Sequence, residues 1–170
     1  KQTFFHGGSS KMKMKRIFIT VLLTVMCYCC IAQTTTEIQR EGYTLIATVT
    51  SDSKECSIQC GDGPTADAPA YLEIPSVVVI EGTEYTVTSI PVGAFQNKTN
   101  FIGDLILPSS IATIGKNAFD GCSGFNGNLS LPANCDIDNF AFQGCVGFTS
   151  MTLPPDIDIQ NTALGSNINF

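Results

Sequence analysis

The dipeptide Ala-Phe occurs at Ala94-Phe95, Ala118-Phe119 and Ala141-Phe142, and Ala163-Leu164 continues the series, at spacings of 24, 23 and 22 residues. Four residues before each Ala stands an isoleucine: Ile90, Ile114, Ile137 and Ile159. Seven residues after each Ala stands a phenylalanine: Phe101, Phe125, Phe148 and Phe170. Between these blocks run "LILP" (Leu105 to Pro108), "LSLP" (Leu129 to Pro132) and "MTLP" (Met151 to Pro154), and "LEIP" (Leu72 to Pro75) opens the series. An apolar-x-apolar triplet puts two side chains on one face of a short strand, and the proline after it blocks further ladder pairing. A unit of 22 to 24 residues is too short to bury its own apolar side chains. The period therefore predicts a mainly β solenoid, in which stacked coils bury each other's faces.

Two units share a longer frame, "NAFDGCSGF" (Asn117 to Phe125) and "FAFQGCVGF" (Phe140 to Phe148). The expected structural core is Ile90, Phe95, Phe101, Ile114, Phe119, Cys122, Phe125, Ile137, Phe142, Cys145, Phe148, Ile159 and Leu164. Within it the Ala and Phe are inward anchors, glycine permits a tight bend, and the Cys fills a small buried slot. Lys98 and Asn167 stand where the first and last units lack the Cys. The frame persists without the thiol, so the framework is the repeated element. Cys135 aligns with Ile111 and Ile157, an apolar site, and buried thiols behave as small hydrophobes.

The chain outside the repeats divides further. Lys11, Lys13, Lys15 and Arg16 precede the apolar run "IFITVLLTVMCYCCIA", which ends in the polar "QTTTEIQREG". That is the charged n-region, apolar h-region and small-residue exit of a secretory signal, with cleavage near Ala32. The run spans 16 residues, short for a membrane span of about 20, which leaves a retained N-terminal anchor as the alternative. Residues 1–11 lack an initiator Met and read as upstream translation; they carry His6, the only histidine. Residues 12–32 are read as the signal, 33–69 as a β-rich N-terminal cap, and 70–170 as repeats. Units fall near 85–108, 109–132, 133–154 and 155–170, the last expected to be truncated at Phe170. In "VVVIEGTEYTVTSI" (77–90), two β-branched runs around "EGTE" predict an inserted β-hairpin.

"LPSSIATIGKNAFDGCSGFNGNLSLP" resembles the leucine-rich repeat of the BspA-like, or treponemal, subclass of bacterial surface proteins. The resemblance covers about Tyr71 to Phe170 and is closest over Ser109 to Pro132. This chain departs from the family pattern in placing Phe where Leu usually follows the Cys, and in keeping the Ile-Gly pair only at Ile114-Gly115. The resemblance implies a right-handed superhelix of short strands and short helical or 3-10 turns. It also implies a secreted or cell-surface location and a role in adhesion or host interaction.

From Gln33 onward four basic residues (Arg40, Lys54, Lys98 and Lys116) face fifteen acids, a net charge of −11. Nucleic acid and anionic membrane surfaces are excluded as partners by that balance; a membrane enters only through the signal or anchor. Nucleophilic catalysis needs a nearby base, most often histidine, and none lies beyond His6. Cys56 and Cys60 ("CSIQC") suit a disulfide in an exported protein only if the chain turns between them, since an extended strand holds their ends too far apart. Zinc is disfavoured by the lack of histidine and of a second close Cys pair. The "DID" pairs at Asp136 to Asp138 and Asp156 to Asp158 occupy nearly equivalent sites in adjacent coils, an arrangement calcium uses; alternation around a buried Ile instead turns them to solvent. The chain is thus read as a non-catalytic binding module without cofactor, with a protein or glycan ligand. The alternatives are a structural spacer in a larger surface protein and an enzyme-associated accessory domain.

Overall fold

The computed structural model describes residues 33–49, 53–65, 71–155 and 162–164. The signal segment, Ile159 and Phe170 lie outside the described residues, as do Asp156 and Asp158. The strands are β1 (Thr34–Arg40), β2 (Tyr43–Val49), β3 (Glu55–Cys60), β4 (Tyr71–Glu73), β5 (Val77–Ile80), β6 (Thr83–Ile90), β7 (Gly103–Ile106), β8 (Thr113–Ile114), β9 (Phe125–Ser130), β10 (Asp136–Ile137) and β11 (Ser150–Thr152). One sheet runs β1-β2-β3-β6-β8-β10 with β5 paired to β6, and the other runs β4-β7-β9-β11.

Each of the three units between 85 and 154 contributes one strand to each sheet. The Leu-x-(Leu/Ile)-Pro triplets supply the four-stranded parallel sheet, where Leu72 pairs with Leu105, Leu105 with Leu129 and Leu129 with Met151. The isoleucines supply the other ladder, Ile90 beside Ile114 beside Ile137, all parallel. The first three leucines and all three isoleucines are buried between the sheets. Two files of phenylalanine run through this core. Phe95, Phe119 and Phe142 stack at 5.0 and 5.2 Å between ring centroids, and Phe101, Phe125 and Phe148 at 6.1 and 5.2 Å. Tyr43 of β2 closes the second file, edge-on to Phe101 at 5.2 Å.

The Ala-Phe segments are turns, and among the described residues there is neither α-helix nor 3-10 helix, which corrects the expectation of helical turns. The hydrogen bonds supply the reason. Ala118, Asp120 and Cys122 donate their N–H groups to the residue three back, but Asn117, Phe119 and Gly121 donate theirs to the next unit, at Asn139, Ala141 and Gln143. A continuous 3-10 run would spend every N–H locally. Here left-handed residues interrupt it at Asn117 (φ 58°) and Gly121 (φ 74°), so alternate donors tie the coils together. The second glycine of the nonapeptide has another cause. A Cβ on Gly124 would collide with the carbonyl oxygen of Thr99, and one on Gly147 with that of Phe125, so these glycines let neighbouring coils touch backbone to backbone.

The insertion over 77–90 is visible as chain length. Ile114 follows Pro108 by six residues and Ile137 follows Pro132 by five, but Ile90 follows Pro75 by fifteen. The extra chain is the antiparallel β5–β6 hairpin, turning at Glu81 (φ 50°) and Gly82 (φ 81°). Positive φ at both central residues gives the twist a two-residue hairpin needs. The end of β6, however, is the ladder strand of its own unit.

The N-terminal strands β1, β2 and β3 are antiparallel, then β3 joins β6 in parallel. Cys60 N–H donates to Ala94 O at 2.9 Å. Phe95, Phe119 and Phe142 make the same bond to Ala118, Ala141 and Ala163, so β3 takes the place of a preceding coil. The proposed Cys56–Cys60 disulfide is absent, and both thiols are free. They lie on one extended strand, which at about 3.3 Å per residue holds their Cα atoms about 13 Å apart, well past the ~7 Å limit for a bridge.

Candidate binding surface

The expected core residues are inside. Ile90, Phe95, Phe101, Ile114, Phe119, Cys122, Phe125, Ile137, Phe142, Cys145 and Phe148 are all buried, and Leu164 packs partly buried against them. None of these offers a side chain to a ligand. Their role is to hold the outward positions of the two sheets in register.

Burial favours the protonated thiol at Cys56, Cys122, Cys135 and Cys145. Burial pushes Cys56 and Cys135 up to about 11 and Cys122 up to about 12, and raises Cys145 further still. A nucleophilic cysteine needs the opposite shift. Instead Cys122 Sγ donates to Phe95 O at 3.0 Å and Cys145 Sγ to Phe119 O at 3.1 Å, each reaching one coil back. Lys98, at the matching position of the first unit, sends Nζ to Gly61 O and Gly63 O, both at 3.3 Å. Cys135 and Ile111 are buried at equivalent sites.

Asp136 and Asp138 flank buried Ile137 on the solvent side of β10, beside Thr113 and Gly115. Asp138 Oδ1 accepts the N–H of Asn139 at 2.6 Å. Among the described residues no three metal-ligating side chains converge.

The outer face of β4-β7-β9-β11 exposes in-register rows of side chains. Alternation along each short strand sends Glu73, Ile106, Ser130 and Thr152 outward as one row. Tyr71 and Asp104 begin a second row, which Asn128 and Ser150 continue. Tyr71 and Ile106 are 42% and 44% exposed, an apolar pair set among polar groups. The face is stiffened by side chains that mend an irregular ladder. Between Gly103 and Leu105 the β7–β9 register shifts, and there Asn126 Oδ1 accepts Gly103 N–H at 2.8 Å while Asp104 Oδ1 accepts Asn128 N–H at 2.6 Å. Ser150 Oγ then donates to Asn128 Oδ1 at 2.9 Å. The sequence reading missed these residues, because Asn and Asp in short segments read as turn formers and nothing local marks them as bridges between coils.

The model of the BspA-type leucine-rich repeat region matches residues 77–169, in six copies. The chain belongs to the BspA-type leucine-rich repeat family. A leucine-rich repeat protein from Bacteroides ovatus ATCC 8483 is similar to it in structure, with 25% identity and a TM-score of 0.57 over 68% of this chain. This BspA-type chain spans 29% of that protein. A leucine-rich repeat protein from Bacteroides capillosus ATCC 29799 is 20% identical, with a TM-score of 0.48 over 68% of this chain and 96% of its own. A leucine rich cell surface protein from Faecalibacterium prausnitzii A2-165 is 16% identical, with a TM-score of 0.38 over 69% of this chain and 42% of its own. No curated protein matches the chain. Leucine-rich repeat domains of this kind are generally protein-binding modules, and the strand-dominated architecture described above is theirs.

Proposed function

We propose that this chain is an exported, non-catalytic binding module that engages a protein or glycan through the outer face of its four-stranded parallel sheet. The coils form a right-handed solenoid that presents equivalent positions at one strand spacing, about 4.8 Å, which suits an extended ligand. The observation that carries this reading is the in-register row Glu73, Ile106, Ser130 and Thr152, open on one side and anchored by a buried row on the other. The basic-then-apolar segment before Gln33 supports export and display at the cell surface, and the family resemblance supports adhesion.

The test is binding of the full chain to immobilised extracellular-matrix proteins and to a glycan array, followed by Ile106→Asp and Tyr71→Ala. Saturable binding weakened at least tenfold by Ile106→Asp is expected, since a central apolar contact carries about 1–2 kcal/mol or more. Binding that ignores both substitutions would move the ligand to another face. No binding to any matrix protein or glycan would leave the spacer role as the better reading.

A further inference from the structure

A groove of about 240 Å³ lies on the N-terminal side of the molecule, between β1 and β5. Both strands are edges: among the described residues β1 pairs only with β2 and β5 only with β6. The ladder parity of each shows where its free groups point. In the β1–β2 hairpin the closing pair is Arg40 with Tyr43, so Arg40, Ile38 and Thr36 exchange hydrogen bonds with β2. Thr44, the partner of Gln39, instead bonds to Asp62 and Gly61 on the β3 side, in keeping with that parity. The N–H and C=O groups of Thr35, Glu37 and Gln39 therefore face away from the sheet. In the second hairpin Ile80 closes against Thr83, and Val87 N–H reaches Ser76 O at 2.9 Å, which leaves the backbone groups of Val77 and Val79 on the open edge.

Two open edges line one groove, and its floor is apolar. Ile38 and Val78 face inward from the two strands, with Pro75 beside them. Thr36, also in the lining, is 2% exposed, and its Oγ1 has no hydrogen-bond partner among the described residues. Val77 and Val79 are 44% and 45% exposed on an edge that carries none of the usual blocks against pairing, neither lysine, proline nor bulge.

We propose that this groove is a strand-acceptor site for an extended peptide segment of a partner protein, with aliphatic side chains at alternate positions. The open ladders on both sides select that occupant. A chain seated between them needs free N–H and C=O groups along both of its own edges. A folded edge strand has one free edge and a helix has none, so neither a second folded copy of this chain nor an amphipathic helix fits. An apolar cavity of about 150 Å³ accepts one benzene, so the space here suits one or two aliphatic side chains pointing inward, with the neighbours between them pointing out. The acidic balance of the chain beyond Gln33 favours a neutral or basic segment. This site is separate from the face proposed above and stands or falls without it.

The experiment uses the full chain and an array of heptapeptides alternating Val, Ile or Leu with Thr, each ending in Lys. Expected are saturable binding by fluorescence polarisation and at least tenfold slower amide exchange at Glu37, Val77 and Val79 in the bound state. N-methylation of alternate peptide nitrogens should abolish binding. Val79→Pro removes an outward N–H from the open edge while leaving the β5–β6 bonds in place, and should weaken binding at least tenfold; Val77→Lys, at an exposed position, should do the same. Three results overturn the proposal: no heptapeptide binds; these amides are already protected in the free monomer, which makes the occupant another part of this chain; or they become protected with rising protein concentration alone, which makes it a second copy.

Discussion

Phe119 is the residue on which the stacked-coil architecture is most exposed to test. Its ring is fully buried and lies between two others, 5.0 Å from Phe95 and 5.2 Å from Phe142, with interplanar angles of 13° and 5°. Truncation of a buried Phe to Ala costs about 3–5 kcal/mol, and each aromatic pair adds about 0.5–1.5 kcal/mol beyond burial. With two pairs lost, Phe119→Ala belongs at the upper end, about 4–5 kcal/mol. A domain of ordinary stability has about 5–15 kcal/mol in all, so the loss is about a quarter of it or more. Urea unfolding followed by far-ultraviolet circular dichroism measures the loss; Phe119→Leu keeps most of the volume and gives a folded second point. The control is Lys116→Ala. Lys116 is exposed, and its Nζ lies 5.9 Å from the centroid of the Phe140 ring, a contact worth about 0.5–1 kcal/mol. Equal losses below about 1 kcal/mol from both substitutions would refute the stacked-coil reading, because only a shared core between units makes Phe119 expensive and Lys116 cheap.

Three further substitutions probe the same frame. Phe140 holds φ at 61°, where the equivalent residues are Gly93 and Asn117; a left-handed conformation costs an ordinary side chain about 1–2 kcal/mol, so Phe140→Asn should raise the urea midpoint, and a fall would mean the ring's contacts outweigh its strain. Lys98→Met keeps the stem but removes two hydrogen bonds to the loop after β3; it should cost about 1–2 kcal/mol and speed amide exchange in β3 more than in β9. The raised thiols give a pH dependence of definite sign. Above the ordinary thiol value of about 8.5 the unfolded chain loses protons that the native chain keeps, so stability falls as pH rises from about 9 toward the folded value of about 12 for Cys122. Cys122→Ala should cost about 1 kcal/mol at pH 7 through its lost hydrogen bond, and should flatten that alkaline decline; an unchanged slope would mean the thiol is not buried.

The repeat core was legible because its signal is redundant. Ile, Ala-Phe and Phe recur at fixed offsets, and the buried isoleucine ladder and both phenylalanine files correspond to those columns. The second ladder, at Thr113–Ile114 and Asp136–Ile137, was not expected as strand. Two residues are too few to show alternation, and only a parallel neighbour on each side makes them a sheet. The disulfide expectation failed for a related reason: "CSIQC" carries the same letters in a turn and in a strand, and β3 is extended because β2 and β6 pair on either side of it. The groove between β1 and β5 was invisible for the strongest version of that reason, since an open edge is defined by the partner it lacks.

The rung shared by Lys98, Cys122 and Cys145 shows how far a repeat column determines chemistry. In all three units this position sends a donor one layer toward the N-terminus, across 3.0 to 3.3 Å. What differs is the layer it meets. Cys122 and Cys145 face a preceding coil, whose phenylalanine carbonyl lies close and whose packing leaves room for one sulfur atom. Lys98 faces the loop after β3, where two glycine carbonyls lie at the half-buried margin and a longer, charged donor reaches both. The conserved requirement within this chain is therefore a donor of the right reach rather than a thiol. Cysteine recurs where coil follows coil, and lysine replaces it where the stack begins.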